Sequence, residues 1–143
     1  MDWDVLIAGG GPAGMTAAIY AGRAGWKTVV FDPLGGGGQA SATDVIHNYP
    51  GFPSGVQGME LMELMAEQAK AFGATIEYDQ VTGVEKSGAT FAITCESSSH
   101  TAKAVIYAAG TSPRKLGVPG EDRYIGRGIS FCATCDGALF RDK

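Results

Sequence analysis

The stretch DVLIAGGGPAGMTAAIYAGRAGWKTVVFD, residues 4–32, decides the fold class of this 143-residue chain. A short apolar run ends in a cluster of glycines, a segment of helical composition follows with Pro12 near its first turn, and a second apolar run ends at Asp32. Short apolar runs bounded by glycine are typical of buried parallel strands, and the segment between them is typical of a helix. The stretch therefore predicts a βαβ unit within an α/β fold.

Residues 9–14 of this unit, Gly-Gly-Gly-Pro-Ala-Gly, have the spacing of a dinucleotide-binding loop. We expect Gly9 to make the tight turn, Gly11 to let a pyrophosphate approach the backbone, and Gly14 to allow close helix packing. The helix N-terminus would supply free N–H groups, and Asp32, 18 residues after Gly14, would accept a hydrogen bond from a ribose hydroxyl. A glycine turn in a non-binding protein is the alternative, but the strand–loop–helix context favours binding.

The elements that follow extend the sheet. Residues 58–73 carry apolar side chains at helical spacing and predict a second helix. Short β-like runs at residues 74–79, 81–87 and 90–96 predict a third parallel strand and then an antiparallel ribbon, and residues 103–110 predict another buried strand. The expected core stripe of the second helix is Leu61, Leu64, Met65, Ala69 and Phe72. The polar stretch of residues 111–128, which includes Glu121, is typical of a solvated linker.

Two cysteines near the end of the sequence, Cys132 and Cys135, are separated by two residues, and Asp136 follows them directly. A zinc site needs four ligands, and the other candidates show no matching spacing: Cys95, His47 and His100. A structural disulfide across two residues would constrain the unfolded chain very little. A redox pair has positive support, because one sulfur can attack while the other resolves and a nearby acid can handle the proton. The sequence favours redox chemistry over the other two.

Composition narrows the partners and the compartment. The net charge of −4 gives no reason to expect a nucleic acid or an anionic membrane surface as a partner, and no apolar run is long enough to span a membrane. The N-terminal sequence lacks the basic start of a signal peptide. An odd count of three cysteines then indicates a reducing, cytoplasmic setting.

Five motifs occur in order along the chain: GGGPAG, GGQ, HNYPGFP, AAGTSPR and CATCDG. From Asp4 to Asp142 the sequence resembles the low-molecular-weight thioredoxin reductase family, FAD-dependent pyridine nucleotide-disulfide oxidoreductases. The resemblance implies a Rossmann-like FAD-binding domain, a parallel sheet with helices and an inserted antiparallel ribbon, incomplete at its C-terminus. Residues 1–114 would be the N-terminal part of that domain. Residues 115–143 would be a linker and the start of a nicotinamide-binding domain that carries the cysteine pair.

The resemblance also implies which residues hold FAD. Those along the pyrophosphate and the adenosine ribose would be Gly9, Gly11, Ala13, Gly14 and Asp32. The GGQ turn begins at Gly37, and the flavin half of FAD would lie along Gly38, Gln39 and Asn48. A second contact would come from Ala109, Gly110 and Thr111. Taken alone, Ala109 and Gly110 would indicate a plain strand-to-loop turn. Paired with the first glycine motif, a turn with almost no side chain favours a ligand lying against the backbone.

As activity, the resemblance implies a thioredoxin-disulfide reductase. Electrons would pass from NADPH through FAD to a disulfide between Cys132 and Cys135, and then to a thioredoxin-like protein. Cys135 would face the flavin, Cys132 would attack the protein substrate, and Asp136 would be the acid–base partner. The full-length enzyme would be a homodimer.

The second glycine-rich motif with which this family binds NADPH has no counterpart among the 143 residues. We therefore expect the chain to be a fragment that does not complete the catalytic cycle alone, and the electron donor stays open. The alternative function is a non-catalytic FAD- or nucleotide-binding module whose cysteine pair senses redox state or binds a metal.

Overall fold

The computed structural model describes residues 2–125, 127–133 and 137. The chain forms two compact units, residues 1–110 and residues 111–143. The domain boundary after residue 114 stays a prediction. None of the helices in the described ranges is long and apolar enough to cross a membrane.

The first unit alternates strands and helices along its first half and then continues as strands. Its elements are β1 (Trp3–Ala8), α1 (Pro12–Arg23), β2 (Thr28–Phe31), α2 (Gly38–Ser41), β3 (Val45–Ile46), β4 (Val56–Gln57), α3 (Gly58–Ala71), β5 (Thr75–Glu77), β6 (Val81–Ser87), β7 (Thr90–Cys95) and β8 (Ser99–Tyr107). The described part of the second unit contains the short helix α4 (Glu121–Tyr124).

Six strands form one mixed sheet in the order β5-β2-β1-β8-β7-β6. The pairs β5–β2, β2–β1 and β1–β8 are parallel, whereas β8–β7 and β7–β6 are antiparallel. The predicted α/β class, with a parallel sheet and an antiparallel ribbon, is confirmed. The ribbon is continuous with the sheet, because the long strand β8 pairs with both halves: Ala102 lies opposite Trp3 of β1 and Phe91 of β7.

Two hydrophobic clusters include alternate residues of β1, as the two faces of a strand require. Ile7 joins the cluster formed with α1 and α3, which includes Met15, Leu61 and Met65. Its neighbour Leu6 joins the other cluster, which includes Phe31, Ile93, Cys95 and Ala102.

Three expectations about burial are wrong. In and after α3, Leu64 and Phe72 are 46% and 40% exposed, because Leu64 lies at the edge of the buried face and Phe72 follows the last helical residue. Strand β8 exists, but none of residues 103–110 is buried, and Tyr107 at the end of the strand is 82% exposed. Glu121, expected in solvent, is buried, and its carboxylate accepts backbone hydrogen bonds from Leu116 and Gly117, each at 2.8 Å.

Candidate functional site

The predicted nucleotide-binding residues follow the carboxyl ends of three neighbouring parallel strands. The first glycine loop (residues 9–14) follows β1, Asp32 follows β2, and residues 108–110 follow β8. Backbone bonds hold these segments together: the N–H of Gly9 donates to the Phe31 oxygen (2.9 Å), and the N–H of Ala108 donates to the Ala8 oxygen (2.8 Å). Ligands of open α/β sheets bind at this edge.

Close backbone approach explains two of the glycines. Gly9 has a φ of +103°, and a Cβ there would lie 2.8 Å from the Cα of Ala109. A Cβ on Gly14 would overlap the carbonyl group of Gly9. By contrast, a Cβ on Gly11 would meet nothing within 4 Å, so open space lies beside its backbone. This is the space in which the glycine motif predicts a pyrophosphate.

Helix α1 begins inside the first glycine loop with its end open. Gly11 is the N-cap, Pro12 is the first helical residue, and no side chain caps the helix. The first intrahelical bond among these residues runs from the N–H of Met15 to the oxygen of Gly11 (2.9 Å). The N–H groups of Ala13 and Gly14 therefore have no intrahelical partner and are available to an anion.

The second glycine loop (residues 35–38) packs directly on the first. All four residues have positive φ, between +57° and +125°. The N–H of Gly37 donates to the oxygen of Gly10 at 2.9 Å, and a Cβ on Gly38 would lie 3.3 Å from the Cα of Gly11. The glycine-rich composition of residues 34–41 predicts a loop here. In the structure Gly38 begins the short helix α2.

Asp32 joins the two glycine loops. Its side chain is buried, at 8% exposure for the residue. Its Oδ2 accepts a hydrogen bond from the N–H of Gly10 (2.8 Å), and its Oδ1 accepts from the N–H groups of Leu34 (2.9 Å) and Gly36 (3.1 Å). None of these three bonds was predicted from the sequence. The signal for part of them was present, because an Asp-Pro pair ahead of glycines favours a turn closed by the Asp side chain.

The structure distributes the other expected FAD residues more widely. Ala109 lies beside Gly9, and Gly110 turns the chain with a φ of +67°. Gln39 is in the first turn of α2. Asn48 is on the exposed loop between β3 and β4, and no hydrogen bond within the described residues joins it to either glycine loop. Thr111 belongs to the second unit.

A cluster of Asp79, Ser97, Ser98 and His100 resembles a hydrolytic site but has the wrong order. Ser98 Oγ lies between its partners, 2.7 Å from Asp79 Oδ2 and 2.9 Å from His100 Nε2. In a nucleophilic triad the histidine lies between the carboxylate and the serine and takes the serine proton. Hydrogen bonds from the Ser97 and Ser98 hydroxyls lower the pKa of Asp79 to about 2. The cluster therefore joins the segment after β5, which contains Asp79, to the turn before β8, which contains Ser97 and Ser98.

The cysteines have different surroundings. Cys95 is free and buried, and burial raises the pKa of its thiol. Cys132 is half-buried and disulfide-bonded, and its backbone N–H donates to Ser130 Oγ at 3.1 Å. The predicted partners of Cys132, Cys135 and Asp136, lie outside the described residues. Among the residues that are described, no group of three or more His, Cys, Asp or Glu side chains could hold a metal ion.

In this α/β architecture, the two glycine loops form a cradle at the carboxyl edge of the parallel half of the sheet, an arrangement typical of dinucleotide-binding proteins. Residues 3–143 match the family model for pyridine nucleotide-disulphide oxidoreductases, and the chain belongs to that family.

Thioredoxin reductases are among the most similar proteins. The chain is 48% identical over 142 residues to a thioredoxin reductase of Treponema pallidum (strain Nichols), covering 99% of this chain and 46% of the relative. It is 48% identical over 140 residues to a thioredoxin reductase of Mycolicibacterium smegmatis, covering 98% of this chain and 45% of that relative. The crystal structure of thioredoxin reductase from Streptococcus pyogenes superimposes with a TM-score of 0.87 at 44% identity, covering 98% and 45%. The chain therefore spans just under half the length of these relatives.

Proposed function

We propose that this chain forms part of a thioredoxin-disulfide reductase. Electrons would pass from NADPH through FAD to a disulfide between Cys132 and Cys135, and then to a thioredoxin-like protein. The observation that carries the proposal is the half-buried, disulfide-bonded Cys132, in a chain 48% identical to proteins named thioredoxin reductase. A pair that exchanges electrons with another protein needs one accessible sulfur.

The cradle formed by the two glycine loops fits FAD. Gly11 leaves open space beside the backbone, and Ala13 and Gly14 present N–H groups at the uncapped start of α1, where the pyrophosphate would be held. The adenosine ribose would lie near Asp32, whose Oδ2 keeps one acceptor position. We assign the remaining contacts to Gly9, Gly37, Gly38, Gln39, Asn48, Ala109, Gly110 and Thr111.

FAD, when bound, supplies the relay of an electron pair between a nicotinamide and the disulfide. In the dithiol form, the Cys132 thiolate attacks one sulfur of the substrate disulfide and forms a mixed disulfide, and the other substrate sulfur leaves as a thiolate. Cys135 then attacks Cys132, which restores the protein's own disulfide and releases the reduced substrate. Asp136 is proposed to manage the proton of the departing or attacking thiol.

The whole protein is proposed to act as a homodimer in the cytoplasm. A reducing compartment suits a chain that combines the free thiol of Cys95 with an exchanging pair.

A stoichiometric exchange tests the activity without any electron donor. The 143-residue chain is reduced, freed of reductant and mixed with an equal amount of oxidised thioredoxin. After an acid quench and thiol alkylation, mass spectrometry should show that the chain has lost two hydrogens and that thioredoxin carries two alkyl groups. In parallel, FAD binding is measured by the change in flavin fluorescence. FAD binding without exchange would favour the non-catalytic sensing module, whereas stoichiometric zinc on the untagged chain would favour metal binding.

A further inference from the structure

We propose that Asp32 is a positioning residue that shapes the phosphate-binding loop through backbone N–H groups, and that this role outweighs any contact with the ribose. The inference rests on the proposed function, since it concerns the same cradle. Its basis is the set of three hydrogen bonds that the buried carboxylate accepts, from Gly10, Leu34 and Gly36.

The acceptor capacity of the carboxylate is mostly used within the protein. Two carboxylate oxygens offer about four acceptor positions. Oδ1 accepts from both Leu34 and Gly36, and Oδ2 accepts from Gly10. About one position on Oδ2 is left, although a ribose has two hydroxyls to offer. With the residue only 8% exposed, little of the carboxylate faces a ligand.

Gly10 is the residue through which these bonds reach the phosphate site. Its N–H donates a hydrogen bond to Asp32, and its C=O accepts one from the N–H of Gly37. Both backbone polar groups of Gly10 are therefore held, one by the Asp32 carboxylate and the other by the second glycine loop. The next residue, Gly11, is the N-cap of α1. Fixing Gly10 therefore fixes the direction in which the chain enters the helix whose N–H groups would bind the pyrophosphate.

The packing of the loops makes this arrangement dependent on glycine. A Cβ on Gly10 would lie 2.8 Å from the Cα of Gly36 and 3.0 Å from the Cβ of Asp32. Any larger residue at position 10 would push the second loop and the carboxylate away. The hydrogen bonds to Asp32 and the absence of a side chain at position 10 thus both hold the two glycine loops together.

A ligand cycle separates positioning from direct ribose binding. ADP and 2′,3′-dideoxy-ADP are titrated into the wild-type chain and into Asp32→Asn. Asparagine can still exchange hydrogen bonds with a hydroxyl, but its one carbonyl oxygen cannot replace both carboxylate oxygens toward the three N–H groups. We expect Asp32→Asn to weaken both ligands by the same factor, about tenfold. If the loss appears with ADP and vanishes with the dideoxy ligand, the contact is with the ribose and the proposal is wrong.

Two further variants complete the binding test. Asp79→Asn is the matched control, because Asp79 also accepts backbone and hydroxyl hydrogen bonds but belongs to the cluster with Ser97, Ser98 and His100. It should leave both affinities unchanged. Gly10→Ala keeps the carboxylate but forces the loops apart, and it should reproduce the equal loss for both ligands. Unchanged affinities in Gly10→Ala would count against the proposal.

Amide hydrogen exchange judges the proposal without a ligand. In Asp32→Asn, the amides of Gly10, Leu34 and Gly36 should exchange at least about tenfold faster, whereas the Ser97 amide, which donates to Asp79, should not change. Asp79→Asn should give the reverse pattern. Unaltered exchange at the three amides in Asp32→Asn overturns the positioning role. A wild-type chain that shows the protected amides but binds neither ADP nor FAD would instead overturn the proposed cofactor site.

Discussion

Gly14 lies against Gly9 so closely that a Cβ at position 14 would overlap the carbonyl oxygen of Gly9. The obstacle is backbone and cannot rotate away. We therefore expect Gly14→Ala to lower the free energy of unfolding by about 1–3 kcal/mol, as overpacking does, despite the higher helix propensity of alanine. Urea unfolding followed by circular dichroism measures the change.

Gly11→Ala should separate binding from stability. Gly11 has a φ of −72°, and a Cβ there would meet nothing within 4 Å, so the fold should lose less than about 1 kcal/mol. The new methyl group would occupy the space assigned to the pyrophosphate, and FAD affinity should fall by about tenfold or more. A Gly11→Ala chain that binds FAD as tightly as the wild type would show that the cofactor lies elsewhere.

The contrast between these two glycines shows what the sequence could and could not reveal. Strand β1, helix α1 and strand β2 were predictable because each is a short run with one clear pattern, and the glycine spacing between them carries its own mechanism. The bond from Gly10 to Asp32 was not, because Gly10 lies 22 residues away and meets the carboxylate only when the two glycine loops pack, whereas the bonds from Leu34 and Gly36 are local. Burial of Tyr107 was mispredicted for a related reason. An apolar run predicts that a strand forms, but it does not show whether other residues of the fold cover that strand.

Asp79 should make the stability of the first unit depend on pH in the acid range. Its pKa is lowered to about 2, chiefly by the hydroxyl of Ser97 and then by that of Ser98, whereas an unfolded aspartate titrates near 3.9. The stabilisation is therefore complete above about pH 4 and is lost as the pH falls toward 2. The difference in Tm between wild type and Asp79→Asn should be constant near neutrality and shrink between about pH 4 and pH 2.

Asp44→Asn is the control for this titration. Asp44 is exposed, and its side chain makes no hydrogen bond or ion pair within the described ranges. Its substitution removes no hydrogen bond from the described part of the fold and should change the Tm less at neutral pH than Asp79→Asn does. If Asp79→Asn behaves like Asp44→Asn, the bonds from Ser97 and Ser98 do not hold the carboxylate in solution.

Cys95 should be chemically inert in the folded chain. It is 5% exposed, and burial raises the pKa of its thiol, so little thiolate is present or reachable near pH 8. Iodoacetamide should modify Cys95 at least about tenfold more slowly in the native chain than in urea, as followed by peptide mass spectrometry. Equal rates would mean that β7 opens readily and that the second hydrophobic cluster is not a stable core.

Cys132 and Cys135 are expected to react differently with a protein disulfide. In reduced Cys135→Ser, the Cys132 thiolate attacks one sulfur of oxidised thioredoxin, the thioredoxin disulfide breaks, and the complex stops as a mixed disulfide because no second thiol resolves it. Non-reducing mass spectrometry should show the combined mass of the two proteins. Cys132→Ser should form at least about tenfold less of this complex, since Cys135 is expected to face the flavin. Cys95→Ser should exchange completely, like the wild type, because Cys95 is buried.

A mixed disulfide that accumulates in Cys132→Ser instead would reverse the two roles. If neither variant traps thioredoxin and the wild type does not reduce it, the pair is not a thioredoxin-reducing centre.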